Sequence, residues 1–103
     1  MTDREKLEWA AKACRLKHTA YPSAADEGIF TDAAKWWNPL TNQADSDVMA
    51  CKLRIGLGFF FGFVEAQTSD HTETARHNNT DEDVCRAVRE ARLLVAAEIG
   101  RAK

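Results

Sequence analysis

The chain has 103 residues, 45% hydrophobic and 29% charged, with a formal net charge of −2. That size and mixture describe a single domain, residues 1–103, able to bury a core without disulfide or metal staples. The small negative charge argues against a protein held to nucleic acid by bulk electrostatics, and it falls short of a DNA mimic.

No apolar run approaches the roughly 18 residues of a membrane span. The charged opening MTDREKLEWAAK lacks the pattern of a signal peptide, so the expectation is a cytoplasmic protein. Cys14, Cys51 and Cys85 are odd in number, far apart and free of any C-x-x-C pair. Neither a disulfide framework nor a zinc site on paired cysteines is expected.

Thr2 to Leu16 reads as a helix. Thr2 and Glu5 match a capping box, and Leu7, Ala10, Ala11 and Cys14 make one apolar stripe. Lys17 to Tyr21 reads as a short strand stopped by Pro22, Ser23 to Gly28 as a turn, and Gly28 to Asp32 as a second strand completing a hairpin.

Then comes KWWNPLTNQADSD, Lys35 to Asp47. Asn38-Pro39 is turn chemistry, and Pro39 bars Asn38 from helical geometry. A helix therefore starts after it, Asn42 to Ile55, capped by Thr41 or Asn42, with Leu40 packing back as a staple. Asp45 and Asp47 complement the helix dipole. Ala44, Val48, Cys51 and Ile55 form the expected inward stripe, and Gly56 the stop. Adjacent side chains of an extended segment point opposite ways, so one of Trp36 and Trp37 belongs to the core and the other is partly exposed.

Phe59 to Gln67, FFFGFVEAQ, is dense in aromatic and β-branched residues and reads as one strand. Phe59, Phe61 and Phe63 would share one face, and helices would cover it as core unless it forms a dimer interface. The rival reading is an open face that stacks a base. Ser69 to Thr72 reads as a turn and Glu73 to His77 as a return strand. Thr80 caps a last helix to Ile99, with an inward stripe of Val84, Val88, Ala91, Val95 and Ile99 and Gly100 as its end. The order α-β-β-α-β-β-α gives an α+β domain, three amphipathic helices packed on a small, mostly antiparallel sheet.

Few residues suggest chemistry. His71 and His77, with Asp70 and Glu73 nearby, match no metal-ligand spacing, so no metal is expected. Cys85 with His77 could be a nucleophile and base, but a cysteine on each helix stripe reads as a small core residue. Gly56, Gly58 and Gly62 run from helix into strand, the reverse of a nucleotide-binding fingerprint. Arg86, Arg89 and Arg92 step along the last helix as a solvent-facing basic stripe, or as ion-pair partners of Glu82, Asp83 and Glu90.

The block WNPLTNQADSDVMACKLRIG resembles a block in small phage and prophage proteins of unknown function. The ends TDREKLEWAAKA and ARLLVAAEIGRA look similar to the ends of the same proteins. The resemblance covers about half the chain and brings no catalytic residue. It implies a phage accessory protein that binds and inhibits host machinery, antiviral defence included, in the manner of an anti-CRISPR factor.

The expectation is thus a non-enzymatic binder of a bacterial host protein, without cofactor, using Trp36, Trp37, Asp45 and Asp47. Trp37→Ala is expected to weaken binding and leave the fold near intact. The alternative is a binding protein or sponge for a small nucleotide signal. An enzyme ranks last, because nothing assembles an acid, a base and a nucleophile. A homodimer is compatible with all three.

Overall fold

Thr2 opens the first helix as its pattern requires. Its side chain accepts the Glu5 N–H at 3.1 Å while Glu5 Oε1 accepts the Thr2 N–H at 3.2 Å. In the computed structural model, which describes residues 2–16, 29–30 and 36–103, this helix is α1, Asp3–Ala13. It ends on Arg15 at φ 59, with the Leu16 N–H returning to the Ala11 carbonyl at 2.9 Å. The remaining elements are β1 (Ile29–Phe30), β2 (Trp36–Trp37), α2 (Gln43–Leu53), β3 (Gly56–Phe60), β4 (Phe63–Gln67), β5 (Thr72–Arg76) and α3 (Asp81–Arg101).

The fold is α+β. The strands form two antiparallel sheets, β1-β2 and β3-β4-β5. Of the expected first hairpin, Lys17 to Tyr21 and the turn at Ser23 to Gly28 lie outside the described residues. Its other strand is present at Ile29–Phe30, paired with Trp36–Trp37.

The expected single strand Phe59 to Gln67 is in fact the two sides of a hairpin. Phe61-Gly62 is a two-residue turn, with Gly62 at φ +85 where glycine carries no Cβ penalty. The turn resets the alternation. Phe60 and Phe63 face one way; Phe59 and Val64 face the other. The return strand runs Thr72–Arg76, one residue earlier at each end than the expected Glu73 to His77.

The α2 stripe differs from expectation. On α2 the buried residues are Ser46, Met49 and Ala50, while Ala44, Val48 and Cys51 are exposed; of the expected stripe only Ile55, beyond the helix end, is buried. The helix stops on Arg54 at φ 55, and Gly56 already belongs to β3. On α3 the expected stripe holds, with Val88, Ala91 and Val95 buried and Val84 and Ile99 packed against the core. Burial extends beyond it nearly all round the helix, to Ala87, Leu93, Ala96, Ala97 and Gly100. One side lies on β4 and β5, and the others take α1 and α2. Of the three cysteines only Cys14 is core, where burial pushes its thiol up; Cys51 and Cys85 are exposed.

Gly100 does not end α3. It lies inside the helix where α1 crosses, and a Cβ there would sit 1.8 Å from the Trp9 carbonyl oxygen. Backbone meets backbone, so no rotamer change can relieve an added side chain. Gly100→Val should cost more than about 3 kcal/mol by forcing the helices apart. Gly62→Ala has open space around it and should lose only about 1–2 kcal/mol, from its left-handed φ. Urea denaturation of both variants measures the contrast.

Candidate functional site

The tryptophan stretch packs inward. Trp37 is 5% exposed and Trp36 half-buried, so the expected split falls with Trp37 in the core. Asn38 is buried, and its Oδ1 accepts the N–H groups of Leu40 and Thr41 at 3.0 and 3.3 Å. Pro39 is fully buried behind it. Asn42 is the α2 cap, accepting the Asp45 N–H at 2.9 Å, and Asp45 Oδ2 accepts the Asn38 N–H at 2.9 Å. Each polar group left over by the turn is used by the next residues of the turn or the helix.

The arginine stripe completes this clasp. Arg89 Nε donates to the Leu40 carbonyl at 3.0 Å, and its Nη1 to Gln43 Oε1 at 3.0 Å. Arg92 Nη1 donates to Asp47 Oδ1 at 2.7 Å and reaches Ser46 Oγ at 3.4 Å. Arg86 pairs with Asp83 at 2.6 Å and with Glu90, and its Nη2 donates to the Arg76 carbonyl at 2.7 Å. The structure therefore puts Asp47 in the joint between α2 and α3, and Asp45 in the turn that leads from Trp37 into α2. Asp45 and Asp47 are engaged within the molecule.

Apart from Val48 on α2, the large apolar side chains exposed among the described residues lie on the β3–β4 hairpin. Phe59, Phe60 and Phe61 are 64%, 49% and 91% exposed. The expectation that helices cover the phenylalanine ladder is overturned. All three helices gather on or around α3, which rests on β4 and β5. Among the described residues no helix packs on the other face of the sheet.

That open face is ordered in rows across the strands. Phe60, Phe63 and Arg76 form the row nearest the tip, and Gly58, Glu65 and Thr74 the next. The Phe60 and Phe63 rings stack at 4.8 Å between centroids. A shallow hollow beside them is lined by Phe61, Gly62, Phe63, Thr74 and Arg76.

The tip is held rigidly. The Gly62 N–H donates to Asn79 Oδ1 at 2.9 Å, and the Gly62 carbonyl accepts the His77 N–H at 3.0 Å. Asn79 sits at φ 67, a conformation asparagine tolerates, and its own N–H donates to His77 Nδ1 at 3.0 Å. Thr80 caps α3 and ties back to Asn78, so the loop carrying both anchors is itself hydrogen-bonded. His77 is thus a loop acceptor. Among the described residues no group of three or more His, Cys, Asp or Glu side chains could hold a metal ion. No helix among them is long and apolar enough to cross a membrane.

Sequence reasoning missed the phenylalanine tip because it read Gly62 as an interior strand residue. A glycine inside an aromatic run is a signal for a turn, and the parity of the phenylalanines on either side hangs on it. No family model matches the chain, and no curated protein or solved structure matches it either. The resemblance to phage proteins rests on the quoted residues alone.

The clasp has a pH signature. Hydrogen bonds from Arg92 and Gln43 hold the Asp47 carboxyl below its ordinary value of 3.8. A depressed carboxylate stabilises the fold above its unfolded pKa and loses that contribution as pH falls through the folded one. The pair is solvent-screened and contributes at most about 1 kcal/mol. The urea midpoint should fall between pH 5 and more acid solution, at about one unit or more below that, and Asp47→Asn should flatten part of the fall. Glu5 and Asp83, also held low by hydrogen bonds from Thr2 and Arg86, contribute equally in both proteins and cancel in the difference.

Proposed function

We propose that the protein acts by non-catalytic binding of another protein, with the β3–β4 tip as its contact surface. One observation carries this reading. Three consecutive phenylalanines stand exposed on a hairpin whose turn is fixed by two hydrogen bonds from a capped loop. Large aromatics immobilised in advance lose little entropy on binding and are favoured as interface anchors. The contact residues are therefore Phe61 at the tip and Phe60 beside it, in place of Trp36, Trp37, Asp45 and Asp47. The resemblance of the WNPLTN block supports a bacterial host protein as partner, with inhibition of antiviral defence as the consequence.

The nucleotide-sponge reading draws on one feature of the same face. The hollow sets Phe61 and Phe63 beside Arg76, an aromatic surface with a cation at its edge. It offers a single arginine and no loop that cradles phosphate, so protein binding is the stronger reading.

Native mass spectrometry on protein purified gently from a bacterial host tests both. A retained polypeptide supports the lead reading; a retained mass of a few hundred daltons supports the sponge. Phe61→Asp should abolish retention of a polypeptide with unchanged urea stability, because the side chain touches little of its own fold. Trp37→Ala should instead lose about 3–5 kcal/mol of stability as a buried aromatic is truncated. Retention unaffected by Phe61→Asp would remove the tip from the contact surface.

A further inference from the structure

Among the described residues, the outer edge of β3 is the least guarded part of the sheet. Their order β3-β4-β5 leaves β3 and β5 as edges. Sheet edges are normally blunted with charge, proline or a covering segment. β5, Thr-Glu-Thr-Ala-Arg, is charged, and Arg86 donates to its last carbonyl. β3, Gly-Leu-Gly-Phe-Phe, has neither charge nor proline. It also hangs past α3, which packs on β4 and β5, so Phe59 on the helix side of the sheet is still 64% exposed.

The register shows what this edge fits. Phe60 and Phe63 flank a two-residue turn and must exchange both of their backbone hydrogen bonds. Going back along the ladder, Gly58 bonds to Glu65 and Gly56 to Gln67. The N–H and C=O groups of Leu57 and Phe59 therefore point away from β4, to the open edge. In an antiparallel pairing of two β3 strands centred on Gly58, Leu57 of each copy meets Phe59 of the other and exchanges both bonds.

The side chains agree with that pairing. The central residues would be two glycines, opposed where strands approach to about 4.5 Å between Cα atoms. A Cβ on Gly58 would already lie 3.0 Å from the Phe60 ring, so the space beside the axis belongs to the aromatic rings. On the helix side, Leu57 packs across the seam against Phe59 of the other copy and covers its exposed face. The strand is thus complementary to itself in backbone, in shape and in its lack of charge.

We infer that the occupant of this edge is a second copy of the chain. The resulting two-fold dimer joins the three-stranded sheets of both copies into one. The two-fold runs normal to the sheet, so both α3 helices lie on one side and both Phe60–Phe63 stacks on the other. This assignment stands on the strand edge and does not rest on the host-partner reading. Phe61 lies beyond the paired residues, so loss of a partner in Phe61→Asp with the dimer retained separates the two.

Sedimentation equilibrium of the full chain is the test. The wild type should run at twice the 11.5 kDa chain mass. Phe59→Pro removes an N–H aimed at the edge and none of the hairpin's own bonds, and it should return the mass to that of the monomer with the helical signal kept. The register is tested separately, in a background with the exposed cysteines replaced (Cys51→Ser, Cys85→Ser). There Gly58→Cys should oxidise to a covalent dimer, because a pair on the axis falls within the roughly 4.4–6.8 Å that a disulfide spans. Leu57→Cys, displaced from the axis, should not. A wild type at monomer mass, a dimer that survives Phe59→Pro, equal cross-linking at both positions, or a host polypeptide on β3 in place of the second copy would each overturn the assignment.

Discussion

Everything in this fold is arranged around α3, which is covered on both sides. The sheet lies along one side of it, and α1 crosses the other so closely that only glycine fits at residue 100. Gly100 meets the α1 backbone at Trp9 and Ala13, and both helices bury small residues, Ala10 and Ala13 on α1 and Ala96 and Ala97 on α3. Small side chains let the two backbones approach and gain dispersion contacts along their length. Placing α1 there has a consequence elsewhere. With α1 and α2 both gathered around α3, no helix among the described residues remains for the far side of the sheet. The open aromatic face follows from the helix packing.

The α2–α3 joint shows the same economy of position. A short helix whose apolar residues are spread around it is held by arginines reaching from α3 to Leu40, Gln43 and Asp47. Arg92 is the more buried partner of its ion pair, 15% exposed against 56% for Asp47. In the segment that leads into α2, Trp37 and Pro39 are buried. Hydrogen bonds give it a defined angle, through Asn38 and Asp45. Trp37 is core and Trp36 is half-buried, so composition alone does not tell which of two neighbouring tryptophans packs inward.

The sequence was informative where a residue type answers a local need. Thr2 with Glu5, Asn42 and Thr80 cap their helices, and Asn38-Pro39 makes its turn, because an orphan N–H or a restricted φ is satisfied within a few residues. It misled where the answer depends on what comes to lie opposite. The stripe Ala44-Val48-Cys51 has good helical periodicity, yet α2 turns Met49 and Ala50 inward because the arginine contacts at Gln43 and Asp47 set its rotation. Gly100 and Gly62 have the same identity and opposite uses, one a close approach within a helix and the other a turn. The helix stops at Arg15 and Arg54 are left-handed without glycine, so composition alone could not mark them.

The phenylalanine tip faces solvent while Trp37 is core. Hydroxyl-radical footprinting of dilute protein, with each residue's rate referred to the urea-unfolded chain, measures this directly. The account predicts near-unfolded reactivity at Phe61 and strong protection at Trp37. Protection of Phe61 equal to that of Trp37, or a Trp37 as reactive as in the unfolded chain, would contradict it.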